Sequence, residues 1–168
     1  MSQNTRFLEF AQPFFIAARN VFKTMIADKI ETQKPSFKTD THPLGDISAT
    51  VGINGVMDKD GVNCPYKGML VLSFPLKTYL GIAGVMFGKT FATYEPDIHD
   101  LGAEIVNMIM GNAKKDLFEM GYSSNMAIPS IIVGKEHVIS YPSGTKVILI
   151  PINTAHGVMY MELCYAEG

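Results

Sequence analysis

The chain has no tryptophan, only two cysteines, and a charged share of 18% in 168 residues. Each scarcity excludes something. Cys64 and Cys164 stand a hundred positions apart, so they offer neither a CxxC pair nor a zinc spacing. They read as two small reduced hydrophobes of a cytosolic chain. The charged share lies below the roughly 25% usual for soluble domains, which argues against intrinsic disorder. Fourteen basic and sixteen acidic residues leave a net charge of -2. Without a basic excess or aromatic-basic interleaving, a nucleic-acid partner is not expected. No apolar run approaches the ~20 residues a bilayer span needs, and Met1 to Arg6 carries no signal-peptide core. A soluble, cytoplasmic protein is therefore expected, with no membrane partner.

Familiar chemical motifs are missing too. There is no P-loop and no GxSxG elbow. Gly81, Gly84 and Gly88 do not fit a dinucleotide fingerprint, and His42, His99, His137 and His156 show no metal-ligand spacing. Asp58-Lys59-Asp60-Gly61 begins like a calcium loop but lacks the remaining ligands. It fits a hairpin turn instead, with Gly61 at a positive-φ position.

What is present is ample apolar content, 47% of the residues. That suffices for a core without disulfide or metal staples, and the length suits one domain over residues 1–168. Phe14, Ala17, Ala18, Val21, Phe22 and Met25 keep helical spacing. With Pro13 at an early helical position, the first helix is expected from Gln12 to Asp28. Strands are expected over 31–40, 46–57 and 66–74, and a short, glycine-weakened helix over 75–88. A second long helix is expected over 97–120, with Gly121 as its stop. Strands at 125–133 (extending to Ser140), 145–153 and 158–166 follow. The order of long helix, three strands, short helix, long helix and three strands suggests an internal repeat. Short turns between strands imply antiparallel pairing, and helices on one face give an α+β layer structure.

The second long helix carries the most information. On a 3.6-residue repeat, Ile98, Leu101, Ile105, Met108 and Ile109 form an apolar stripe. Asp100, Glu104, Asn107 and Gly111 follow at steps of four, three and four along another ridge. Gly102 and Gly111 each cost about 0.5–1 kcal/mol relative to alanine inside a helix. Gly111 lies one turn beyond Asn107, so a flat patch beside a polar pair would suit insertion of Asn107 into a partner. Carboxylates and amides are also ordinary on a solvated helix face. Spacing alone leaves both readings open.

At these residues the sequence resembles the CheC/CheX/FliY family of chemotaxis phosphatases, closest to CheX. The family's pattern, an acidic or serine residue, three positions, Glu, two positions and Asn, stands here as Asp100, Glu104 and Asn107. Gly102, Gly111-Asn112-Ala113-Lys114 and Leu117 extend the match along the helix. Pro129 to Gly134 resembles the strand that follows, and Pro13-Phe14, Ala17-Ala18, Val21-Phe22 and Met25 resemble the CheX opening.

The resemblance implies an α+β, CheC-like fold. Two pseudo-symmetric helix-plus-three-strand repeats, about 8–88 and 96–168, pack long helices on an antiparallel sheet. It also implies one active helix. With Asn20 as first-half counterpart of Asn107, Ala17 occupies the place of the Glu. The implied activity is hydrolysis of the aspartyl phosphate on a CheY-like receiver domain. Glu104 and Asn107 would be catalytic, and Asp100, Gly111 and Lys114 would contact the partner. No cofactor is implied in this chain, the Mg²⁺ belonging to the receiver. A homodimer is expected, with the strands around Thr145 to Ala166 as edges able to extend a sheet across a two-fold. A non-catalytic receiver-docking adaptor is the alternative. A small-ligand domain with methionine-rich adaptable surfaces is a third reading.

Overall fold

A computed structural model describes residues 2–27 and 29–168. Among these the chain forms α1 (Gln3–Ile26), β1 (Glu31–Thr32), β2 (Ser36–Lys38), β3 (Ile47–Lys59), β4 (Val62–Phe74) and α2 (Leu76–Phe87). A 3-10 turn (Pro96–Ile98), α3 (Leu101–Glu119), β5 (Tyr122–Met126), β6 (Ser130–Val133), β7 (Lys146–Thr154) and β8 (Gly157–Glu167) follow.

The first helix starts nine residues before the expected Gln12. Ser2 caps it, its Oγ accepting from the Thr5 N–H at 3.2 Å. Phe7, Phe10 and Phe14 then continue the buried stripe backwards. Pro13 is an interior residue, not a first-turn one. It withholds an N–H from the carbonyl four residues back, and tertiary packing of its buried neighbours carries the helix through. The expected end at Asp28 lies outside the described residues. The second long helix, by contrast, is shorter than expected, because Pro96–Ile98 forms a separate 3-10 turn. The expected first strand of each half arrives as two short pieces, β1 with β2 and β5 with β6.

The sheet is antiparallel, in the order β1-β7-β8-β4-β3-β5, with β2 also on β7 and β6 also on β3. This order is symmetric about the central β4–β8 pair. The short strands of each half lie against the long hairpin of the other. The β3–β4 hairpin turns through Asp60 and Gly61, both at positive φ, and the Gly61 N–H donates to Asp58 Oδ1 at 2.8 Å. β7 and β8 are not edges: β1 and β2 cover β7, and β8 lies between β7 and β4. The expectation of a sheet extended through Thr145 to Ala166 therefore fails. Hydrogen-bonding capacity there is already spent within the chain.

α1 and α3 lie side by side on one face of the sheet. Ile47, Ala49, Val51 and Ile53 of β3, Leu70, Leu72 and Phe74 of β4, and Met161 and Leu163 of β8 meet them in a common core. Full burial of such a side chain is worth about 1.5–3 kcal/mol. The other face carries buried polar residues. Glu162 takes Lys38 Nζ at 2.6 Å and the Tyr141 hydroxyl on one oxygen, and Ser48 Oγ meets His137 Nε2 at 2.7 Å.

The sheet symmetry also sets the correspondence between helices. β4 starts at Val62 and β8 at Gly157, 95 positions on. The same step relates buried Phe7, Phe10, Phe14, Ala18 and Phe22 of α1 to buried Gly102, Ile105, Ile109, Ala113 and Leu117 of α3. It places Glu9 opposite Glu104 and Gln12 opposite Asn107. Asn20 and Ala17, expected at those places, are about two turns further along α1. Faint periodicity repeats at each turn of a helix, so it cannot set the register that strand pairing does.

Candidate functional site

α3 begins without a side-chain cap. Asp100 is its N-cap residue, yet its carboxylate makes no capping bond. A buried tyrosine from α2 does the work instead. The Tyr79 hydroxyl donates to the Ile98 carbonyl at 2.6 Å and accepts from the Gly102 N–H at 3.1 Å. Burial pushes that hydroxyl up to about 12, helped by Tyr94 and the carboxylates of Asp100 and Glu104. It thus stays protonated and able to bridge carbonyl and amide. Beside it, the Tyr94 hydroxyl bonds His99 Nδ1. The Asp100 carboxylate is left free to face outward, near the positive end of the helix dipole, which also favours Glu104 in the first turn.

The inner face of α3 is complete: Ile105, Val106, Ile109, Met110, Ala113 and Leu117 are fully buried. The outer ridge is the reverse. Asp100, Glu104, Asn107 and Gly111 are all exposed, and Lys114 next to them is half-buried. From Asp100 to Gly111 the ridge spans ~16 Å at 1.5 Å per residue. The structure therefore brings Asp100, Glu104, Asn107, Gly111 and Lys114 onto one side of one helix.

Two amides on this helix differ. Asn112 turns back on its own helix, its Nδ2 donating to the Met108 carbonyl at 2.8 Å. The side chains of Asn107 and Glu104 make no hydrogen bond or ion pair with the described residues. Two glycines differ as well. A Cβ on Gly102 would meet Ile131 Cδ1 at 3.0 Å and Ala49 Cβ at 3.2 Å, whereas one on Gly111 would meet nothing within 4 Å. Gly102 lets α3 settle on the sheet. Gly111 has no such neighbour among the described residues.

The site is convex. Two open grooves lie elsewhere: one of about 1340 Å³ between α2 and the β7–β8 turn, and one of about 830 Å³ at the C-terminal end of α1. Neither includes a residue of the ridge. A small-ligand reading gains nothing from this arrangement. An unpartnered carboxylate and amide beside a bare helical surface instead suit insertion into a partner's cavity. The amide can accept a hydrogen bond and donate one at the same time.

Tyr79 was not legible as a site residue, because only the fold brings it to the start of α3. Phe118, exposed on the same ridge, did carry a signal: it follows Gly111 by two helical turns.

A family model described as chemotaxis phosphatase CheX matches residues 47–153. The chain is similar to the crystal structure of a chemotaxis protein CheX from Desulfovibrio desulfuricans. Identity is 33%, coverage 94% of this chain and 99% of that one, and the TM-score 0.80. It is similar to chemotaxis protein CheX from Vibrio vulnificus at 30% identity, with coverage of 94% and 99% and a TM-score of 0.79. A CheX from Borrelia burgdorferi, solved with CheY, BeF3 and Mg²⁺, shares the fold at 22% identity, 94% and 97% coverage and a TM-score of 0.73. A search of curated proteins found no match.

Proposed function

This chain belongs to the CheX family of chemotaxis phosphatases, and on that premise we propose that it stimulates hydrolysis of the aspartyl phosphate on a CheY-like receiver domain. One observation carries the reading. The side chains of Glu104 and Asn107 stand unpartnered among the described residues beside Gly111, a helix-interior glycine at which a Cβ would meet nothing within 4 Å. The solved complex of the Borrelia relative with CheY supports the choice of partner.

The chemistry follows from side-chain capacity. Water attacks phosphorus in line with the bond to the aspartate. That bond breaks, the receiver regains its carboxylate, and inorganic phosphate leaves with the water's oxygen. Asn107 orients the water, its carbonyl oxygen accepting a hydrogen bond from it. An amide is no useful base at neutral pH, so its contribution is position. Glu104 pairs with the lysine that receivers carry beside their phosphorylation site and fixes the docking angle. Asp100 adds negative charge at the same end, and Gly111 leaves room for the receiver backbone. Mg²⁺, held by the receiver, supplies charge neutralisation at the phosphoryl group.

The test is phosphate loss from a panel of phosphorylated receiver domains, with wild-type protein and Asn107→Ala. Acceleration for one receiver, lost in the variant while binding persists, supports the phosphatase. Binding without acceleration for every receiver leaves the docking adaptor.

A further inference from the structure

Resting on the phosphatase reading, we propose that Phe118 is an apolar anchor for the same phosphorylated receiver, setting affinity without touching the reacting atoms. Phe118 is 73% exposed. It lies two turns beyond Gly111 on the ridge of Asp100, Glu104 and Asn107, ~10 Å past the glycine and ~16 Å past the amide. Among the described residues its ring has no place in the core, and it is not one of the partly buried side chains packed against the core. Its neighbour Leu117 fills the core position and is fully buried.

Charge along the ridge says how the partner lies. The N-terminal end is acidic, with Asp100 and Glu104. At the C-terminal end Lys114 and Lys115 stand one turn before Phe118 and share its side of the helix, whereas Asp116 lies on the far side and Glu119 about a quarter-turn round. A receiver that sets its lysine on Glu104 and its phosphoryl group over Asn107 is held at the acidic end. The same rigid helix then presents Phe118, flanked by two cations, to the adjoining receiver surface. The matching patch is an apolar hollow rimmed by carboxylates. An aromatic side chain buries roughly 150–250 Å² when covered, and aromatic residues are enriched in the fully buried centres of interfaces. A contact equally good in ground and transition states changes KM and leaves kcat alone.

The test compares wild type, Phe118→Ala and Phe118→Tyr. Two readouts are used: steady-state dephosphorylation of the responsive receiver, and binding to that receiver loaded with beryllofluoride and Mg²⁺. Phe118→Ala is expected to raise KM and weaken binding about tenfold, within the range for interface anchors, with kcat unchanged. Phe118→Tyr should restore most of both. Unchanged KM and binding in Phe118→Ala overturn the proposal while leaving the phosphatase reading intact. A change of oligomeric state with unchanged receiver affinity also overturns it and assigns the ring to a second copy of the chain. If no receiver is dephosphorylated but one binds and loses affinity in Phe118→Ala, the anchor stands and the catalytic reading falls. If none binds, both fall.

Discussion

α1 and α3 lie side by side on one sheet and bury equivalent faces, yet of the four ridge positions Asp100, Glu104, Asn107 and Gly111 only the glutamate recurs on α1, where Thr5 stands opposite Asp100. Where α3 has Asn107 and Gly111, the matching positions of α1 hold Gln12 and Ile16. Glu9 matches Glu104. The carboxylate is thus kept on both helices, while the amide on α1 reaches one methylene further. Ile16, 46% exposed, stands where α3 has bare backbone. A partner that approaches α3 closely would strike a branched side chain on α1. The difference teaches that the reach of the amide and the clearance beside it, with the added charge of Asp100, separate these helices, not the glutamate.

The strongest way to break the comparison is Asn107→Ala. If position of the attacking water is the function of α3, stimulated hydrolysis falls at least about 100-fold, the scale seen when one preorganised hydrogen-bonding group is lost from an active site. Receiver binding stays within about twofold, since the amide is an exposed group of little weight in docking. A smaller loss of rate would put Asn107 on a par with Gln12.

Next come the two glycines of α3, which predict opposite results. Gly102→Ala forces a methyl group against Ile131 and Ala49 at 3.0 and 3.2 Å and should destabilise the fold by about 1–3 kcal/mol. Gly111→Ala has open space and should stabilise the helix by about 0.5–1 kcal/mol. On the docking proposed above its methyl group would stand in the partner's path, so kcat/KM should fall even as the melting temperature rises. Calorimetry with a dephosphorylation assay on both variants checks the pair. Full activity in Gly111→Ala would remove clearance as the reason for the glycine.

Glu104→Gln probes the feature the two helices share. The substitution keeps size and removes charge, so the loss falls on pairing with a cation. KM should rise about two- to fivefold at low salt and less at high salt, because screening weakens an exposed pair. A salt-independent effect would mean that Glu104 acts by shape.

The contrast between helices also shows what the sequence could and could not disclose. The α3 ridge was readable because helix geometry is local: residues three and four apart must share a face. The strands and the β3–β4 turn were readable for the same reason, from alternation and from Asp60-Gly61. Register across the two halves was not. Matching Asn20 to Asn107 satisfied helical periodicity, and only the equivalent β3–β4 and β7–β8 hairpins, closing at Lys59 with Val62 and at Thr154 with Gly157, fixed the step at 95 and put Gln12 in its place. Pro13 hid the first three turns of α1, because a proline inside a helix reads as a start unless tertiary packing is known. Tyr79 was invisible for a related reason. Its hydroxyl bonds the backbone at Ile98 and Gly102, some twenty residues away, and no spacing rule announces that.

The smallest expected effect is the sharpest control on the comparison. Gln12→Ala removes the α1 amide from an exposed position that makes no contact with α3's ridge residues in the described hydrogen bonds. Surface changes of this kind move stability by less than about 0.5 kcal/mol. If Ile16 blocks close approach on α1, stimulated hydrolysis and receiver affinity both stay within about twofold of wild type on the same scale. A loss comparable to that of Asn107→Ala would show that a partner does reach α1. The longer amide would then be competent despite its neighbour, and the bare surface at Gly111 would no longer be what distinguishes the two helices.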